Sequence, residues 1–172
     1  TEHDRLAVDG RLENVVAARV HDAAADEHHG GHLEEIRQLA SRYALAIDSR
    51  DLDALVDLFV EDVAAGPGRS GRAALREDFD RQLRGIGVSI LFVGNHVIDF
   101  ESETRARGVV YCKAEIEDGA RWIAQAIQYQ DRYEQRGDRW YFVRRRHLLW
   151  YGAEQATHPL AQPPADWPRS HT

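Results

Sequence analysis

Arg42-Tyr43-Ala44-Leu45-Ala46-Ile47-Asp48-Ser49-Arg50-Asp51-Leu52-Asp53-Ala54-Leu55-Val56-Asp57-Leu58-Phe59 decides the fold. Leu33, Ile36, Ala40, Tyr43 and Ile47 recur at spacings of three and four, the apolar stripe of one amphipathic helix. A polar hinge at Ser49-Arg50-Asp51 stops it, and Leu52, Leu55, Val56 and Phe59 begin a second stripe. Asp51 is placed to cap that second helix, its carboxylate meeting the free N–H groups of the first turn. Asp48 lies one residue past the stripe, in the last turn of the first helix, where the macrodipole disfavours an anion by roughly 0.3–1 kcal/mol. A carboxylate held against its own helix points either to chemistry or to a cap on the turn that follows.

Outward from this segment, Leu12, Val15, Val16 and Val20 predict one extra helix ending near Gly30-Gly31. Downstream, Gly66-Pro67-Gly68 reads as a turn, and Ser70 as the N-cap of a third helix carrying Leu75, Phe79 and Leu83. From Val88 the pattern becomes that of strands. Residues 88–100 are apolar on both alternating faces, as in a strand covered on both sides. Over 108–118, Val110, Cys112, Ala114 and Ile116 alternate with Tyr111, Lys113, Glu115 and Glu117. Segments 121–135 and 139–151 are joined by the hairpin signal Arg136-Gly137-Asp138. Helices followed by an antiparallel meander give an α+β class, a curved sheet wrapped round the helices as a cone with a small-molecule pocket at its mouth. The expected divisions are an extension over 1–31, a domain over 32–152 and an irregular tail over 153–172 with Pro159, Pro163, Pro164 and Pro168.

At 172 residues and 43% hydrophobic composition, one globular core is expected. A formal charge of −7 argues against nucleic-acid or anionic-membrane partners, which call for a basic surface. No apolar run approaches the roughly 20 residues of a membrane span, and a cytoplasmic location is the expectation. Cys112 is the only cysteine, which rules out an internal disulfide, and its apolar strand makes it a small core residue. His28, His29 and His32 fall at a glycine pair and read as a solvated turn; no metal site is expected.

The opening segment, with Gly94-Asn95-His96-Val97-Ile98, Tyr129-Gln130-Asp131-Arg132-Tyr133 and Gly137-Asp138-Arg139-Trp140, resembles the SnoaL-like group of the NTF2-like superfamily, which includes scytalone dehydratase and the bile acid 7α-dehydratases. The resemblance covers about residues 33–152 and implies the NTF2-like cone, with three helices packed in a mostly antiparallel sheet. It also implies pocket roles. Asp48 matches a helix-borne aspartate that works with a histidine, and Tyr43 matches a tyrosine of the bile acid enzymes that ketosteroid isomerases share as an oxyanion donor. A core role for Tyr43 stays open beside this. The family histidine base, however, aligns with Leu91, and the second histidine of scytalone dehydratase with Ile116; neither side chain carries a proton.

Two histidines are candidate substitutes. Matching Trp140 to the family tryptophan gives His147 the parity of inward positions, with Val143, Arg145 and Leu149. His96 has the opposite parity to Leu91, Val93 and Asn95, unless Gly94 introduces a bulge that re-aims it. Tyr129 and Asp131 share a face of the third strand with Arg145 beside them, either as a structural ion pair or as a grip on a substrate carboxylate or hydroxyl. Arg144-Arg145-Arg146 is split by strand alternation and forms no continuous phosphate-binding surface.

These readings lead to a cofactor-independent lyase or isomerase for a hydrophobic, oxygenated ring compound such as a polyketide, steroid or aromatic intermediate. Asp48, Tyr43, His147 and His96 are its candidate catalytic groups. Tyr129, Asp131, Arg145, Leu91, Asn95, Ile116, Ile127 and Leu149 are its candidate substrate contacts. Two alternatives stand beside it. One is an epoxide hydrolase of the limonene epoxide hydrolase type, using Asp48, Asp131 and Arg145. The other is a non-catalytic binding or assembly module whose cone is filled by Leu91, Ile116, Ile127, Tyr129 and Leu149. Trp122, Tyr111 and Trp140 as surface aromatics on the open sheet face suggest a homo-oligomer, a trimer before a dimer.

Overall fold

The computed structural model describes residues 23–161, with side chains from Gly30 onward. Of these, residues 31–161 form one compact unit, which carries the candidate site. Its elements run α1 (Ala23–Ser49), α2 (Leu52–Asp57), α3 (Arg72–Leu83), then β1 (Ser89–Ser102), β2 (Arg105–Asp118), β3 (Arg121–Arg136) and β4 (Arg139–Glu154), with a 3-10 turn at Pro159–Ala161. The four strands form one antiparallel sheet in chain order. This is the α+β, NTF2-like cone: Ile36, Leu39, Ala40, Tyr43 and Ile47 of α1 lie in one core with Val110, Cys112, Ile127, Tyr129, Tyr133 and Phe142 of the sheet.

The hinge behaves as its residues require. Asp51 N–H bonds the Ala46 carbonyl at 3.0 Å and Arg50 N–H the Ile47 carbonyl at 3.2 Å, the pair of bonds that closes a Schellman motif. Arg50 holds the left-handed position (φ 59°) that usually falls to glycine. Its guanidinium offsets that strain by donating to Ser89 Oγ at 2.7 Å and to the carbonyls of Ile47, Ile86 and Gly87. Asp51 caps α2, accepting from Ala54 N–H at 2.9 Å. After α2 the chain runs beside β4: Phe142 N–H donates to the Leu58 carbonyl at 2.8 Å, and Val60 N–H to the Phe142 carbonyl at 3.0 Å.

Five expectations change. The extra helix over Leu12–Val20 lies outside the described residues, but a helical end at Gly30-Gly31 is not found, because α1 runs unbroken from Ala23 through both glycines. His28 and His29 are therefore helical, and His32 accepts a hydrogen bond at Nδ1 from Trp140 Nε1 at 3.0 Å. Gly71, not Ser70, occupies the N-cap of α3; its φ of 92° lets the chain turn into the helix. β1 is covered on one face only, leaving Phe92 76% and Val97 53% exposed on the other. Trp122 and Trp140 are buried rather than surface aromatics, because residues from outside the sheet cover them. His32 lies against Trp140, and His158 of the tail against Trp122, whose Nε1 donates to Glu115 at 2.6 Å.

Candidate active site

Each side of the site begins with strand alternation. On β3, Ile127, Tyr129, Asp131 and Tyr133 all point into the cone. The register sets Tyr129 between Val110 of β2 and His147 of β4, and Asp131 between Gly108 and Arg145. Arg145 meets Asp131 as a two-pronged fork, Nε to Oδ1 at 2.9 Å and Nη2 to Oδ2 at 2.7 Å, with side chains 3% and 0% exposed. The rings of Tyr43, Tyr129 and Phe142 surround the guanidinium carbon at 4.3–4.4 Å. Burial opposes the arginine charge, but the Asp131 carboxylate outweighs it and keeps the guanidinium protonated. Nη1 is buried and has no hydrogen-bond partner among the described residues. The fork and the rings packed over the guanidinium tie β3 to β4 at this point.

On β1 a bulge decides which residues face inward. Val93 pairs with Cys112 and His96 with Val110, so Gly94 and Asn95 together oppose Tyr111 alone. The extra residue reverses the parity: Leu91 and Val93 point inward before it, His96, Ile98 and Phe100 after it. Asn95 is thereby exposed, outside the set of side chains that pack against the core.

His96 Nε2 lies 3.0 Å from the Tyr133 hydroxyl, which in turn lies 2.8 Å from Asp131 Oδ2. The carboxylate paired with Arg145 only accepts, so the phenol donates to it and receives from His96. His96 therefore carries its proton on Nε2 and presents Nδ1 as the acceptor. Desolvation lowers its pKa to about 4, against the pull of the Asp131 carboxylate and with smaller contributions from Arg145 and Arg37. It is a neutral imidazole at neutral pH. Tyr133 is the residue missed in the sequence reading, although its alternation with Tyr129 and Asp131 places it on their face.

The other candidates are distributed as follows. Asp48 is half-buried; Oδ1 accepts from Ser89 Oγ and Oδ2 from Leu91 N–H, both at 2.9 Å, so it fastens the end of α1 to the start of β1. Burial raises its pKa against those two hydrogen bonds and the Arg50 charge. Leu91, the position at which the resemblance implied a histidine, is held through its backbone N–H. Tyr43 is buried among Phe59, Phe79, Tyr129 and Phe142, and burial pushes its phenol up to about 12. Tyr129 is raised further for the same reason. Ile127 is buried, Ile116 partly so, and Leu149 stands 50% exposed. His147 is exposed and sets its ring edge-on to Tyr129, with centroids 5.6 Å apart; partial burial, then Arg145, lower its pKa. His96 and His147 occupy the two outer strands of one cross-sheet row, with Val110 and Tyr129 between them. Nor do Asp48 and Asp131 share a partner among the described residues, since the arginine fork serves Asp131 alone.

Residues 31–146 match the SnoaL-like domain family. The chain belongs to that family. No curated protein matches it in sequence. The SnoaL-like domain is similar in structure to a candidate scytalone dehydratase from Novosphingobium aromaticivorans, with a TM-score of 0.65, 22% identity, and coverage of 77% of this chain and 93% of that one. It is also similar to a hexachlorocyclohexane dehydrochlorinase, LinA-type3, from Novosphingobium barchaimii (TM-score 0.68, 20% identity, 76% and 94% covered). A structure of LinA gives a TM-score of 0.72 at 22% identity, covering 81% of this chain and 99% of that one. At these identities the likeness is one of fold. Within the described residues of this SnoaL-like domain, no helix is long and apolar enough to cross a membrane.

Proposed function

We propose that this protein is a cofactor-independent lyase or isomerase that moves a proton on a hydrophobic, oxygenated ring compound, with His96 as its base. The observation that carries this reading is the hydrogen-bonded chain from His96 through Tyr133 to the Asp131–Arg145 pair. Such a chain fixes the ring's tautomer and orientation, which an acid–base group requires. The names of two structural neighbours, a dehydratase and a dehydrochlorinase, both describe eliminations, reactions that begin by removing a proton from carbon.

In this reading Nδ1 of His96 takes a proton from the carbon beside the substrate carbonyl. The Nε2–H stays on Tyr133, and the new imidazolium charge faces Asp131 through the phenol. The hydroxyls of Tyr43 and Tyr129, kept protonated by burial, donate to the oxygen on which charge develops. The imidazolium then returns its proton. Delivery to a different carbon completes an isomerisation; delivery to a departing hydroxyl as its C–O bond breaks gives water and a new double bond.

Deuterium exchange tests this without knowledge of the natural substrate. Cyclic ketones on steroid, polyketide and hydroxylated-aromatic scaffolds are incubated with the protein in heavy water and weighed by mass spectrometry. Exchange beside the carbonyl is expected for at least one scaffold, falling about 10²–10⁴-fold in His96→Gln. Equal exchange by the variant removes His96 from the base role.

One observation favours a second reading, a non-catalytic ligand carrier: Asp48 is already bonded to Ser89 and to the amide of an apolar Leu91. Saturable binding of a scaffold in a thermal-shift titration, with no exchange on it, would select that reading. In either case we infer a homo-oligomer, because Phe92, Val97, Trp150 and Tyr151 are exposed apolar side chains of the sheet.

A further inference from the structure

We propose that Gly108 is a positioning residue for His96, acting through the ring of Tyr133. This rests on the reading of His96 as the base. Gly108 sits in the interior of β2, between Ile98 of β1 and Asp131 of β3, where a glycine forfeits side-chain packing and weakens a strand. Its neighbours supply the reason for it. A Cβ built there would lie 3.0 Å from Tyr133 Cε2, 3.1 Å from the Tyr133 hydroxyl and 3.0 Å from the Val97 carbonyl. Tyr133 pairs directly with Ala106, the next inward position of β2, so its ring reaches Gly108 along the diagonal. Only by lying across that bare backbone does the phenol come within hydrogen-bond reach of Asp131 on its own strand and of His96 on β1.

The Val97 carbonyl belongs to the paired backbone of β1 and cannot retreat, so a methyl group at 108 displaces the tyrosine ring. His96 then loses its only fixed partner among the described residues. The groups facing His96 are Tyr133 and Asp131 from β3, Arg145 from β4 and Arg37 from α1. Of these only Tyr133 touches both His96 and Gly108. Loosened from the phenol, the imidazole gains access to solvent, and its affinity for a proton rises toward the ordinary one.

The test is an NMR titration of His96, which needs no substrate. In the wild type the ring is expected to titrate near pH 4, and in Gly108→Ala to shift toward the ordinary 6.5. Tyr133→Leu, which removes the hydroxyl together with the ring that helps bury His96, should give an upward shift of its own. Gly152→Ala on β4 is the control for another strand glycine: its Cβ meets only Ile123 Cγ2 at 3.6 Å and Gln125 Cγ at 3.9 Å, and the titration should stay at the wild-type value. Should Gly108→Ala fail to fold, the Tyr133→Leu background decides. There the ring is gone and only the Val97 carbonyl contact remains, so adding Gly108→Ala should leave the His96 titration unchanged whatever it costs in stability. A Gly108→Ala protein whose His96 titrates as in the wild type overturns the proposal, and so does a Gly108→Ala effect of full size in the Tyr133→Leu background. Either failure leaves the exchange experiment on His96→Gln standing, so the two readings fail separately.

Discussion

Asp48 and His96 are both partly buried and both shifted by desolvation, yet their effects on stability run in opposite directions with pH. The carboxyl of Asp48 is raised, so its contribution is complete below the unfolded value of 3.8 and declines as pH climbs through the folded value. At neutral pH its ionised form is the less favourable one. Asp48→Asn keeps an oxygen for Leu91 N–H and an amide for Ser89, so it is expected to melt slightly above the wild type at pH 7, the gain disappearing toward pH 4. Thermal unfolding at the two pH values checks this; a marked loss of stability at pH 7 would show that the Arg50 charge outweighs burial. The imidazole of His96 is depressed to about 4, so between pH 6.5 and 4 the unfolded chain binds the proton that the folded chain refuses. Stability should fall across that window as pH drops, and His96→Gln should flatten the slope in urea titrations. Turnover, where it is found, should keep its acid limb near pH 4 rather than 6.5.

Between β3 and β4, the Asp131–Arg145 fork behaves as a unit. Asp131→Asn leaves a buried guanidinium without its counter-charge, a loss of about 3–5 kcal/mol. Asp131→Leu combined with Arg145→Met should cost clearly less than the single change, which urea denaturation of both variants would reveal. Much of this level was legible beforehand. The stripe from Ile36 to Ile47, the Asp51 cap, the alternation of β2 and the turn at Gly137 all follow from local pattern, because each is enforced within a few residues of itself. The site was legible only in part. Alternation identified the inward face of β3, but whether Asn95 or His96 enters the cone depends on a two-against-one pairing with Tyr111 on another strand. Asp48 was identified as unusual, yet its partners Ser89 and Leu91 are more than forty residues away in sequence. Trp122 and Trp140 looked like surface rings because nothing near them in sequence announces His158 or His32 as covers.

For the molecule as a whole, the outer face of the sheet sets the expectation. Phe92, Lys113 and Tyr151 lie in one cross-strand row, with Lys113 Nζ donating to the Tyr151 hydroxyl at 2.8 Å, and Tyr111 packs edge-on against Trp150 at 5.2 Å. Aromatic rings with Phe92 76% exposed form a surface suited to a second copy of the chain. Sedimentation equilibrium is expected to give a trimer, and Phe92→Asp to shift it toward monomer; a wild-type monomer at tens of micromolar would reject the assembly.

The two borders of the sheet are not equivalent. The Leu58–Val60 segment hydrogen-bonds along β4, whereas β1 ends the order of strands. A long strand with open N–H and C=O groups is a template on which foreign chains can extend the sheet, and a bulge is one device that bends such a border out of register with any straight newcomer. The Gly94-Asn95 bulge, which aims an imidazole, is by this argument also expected to hinder such pairing. Deleting Asn95 would restore an even two-residue rhythm and still leave His96 opposite Val110. The penalty would emerge on storage or heating, as light scattering that rises earlier than in the wild type while the freshly folded protein still looks intact.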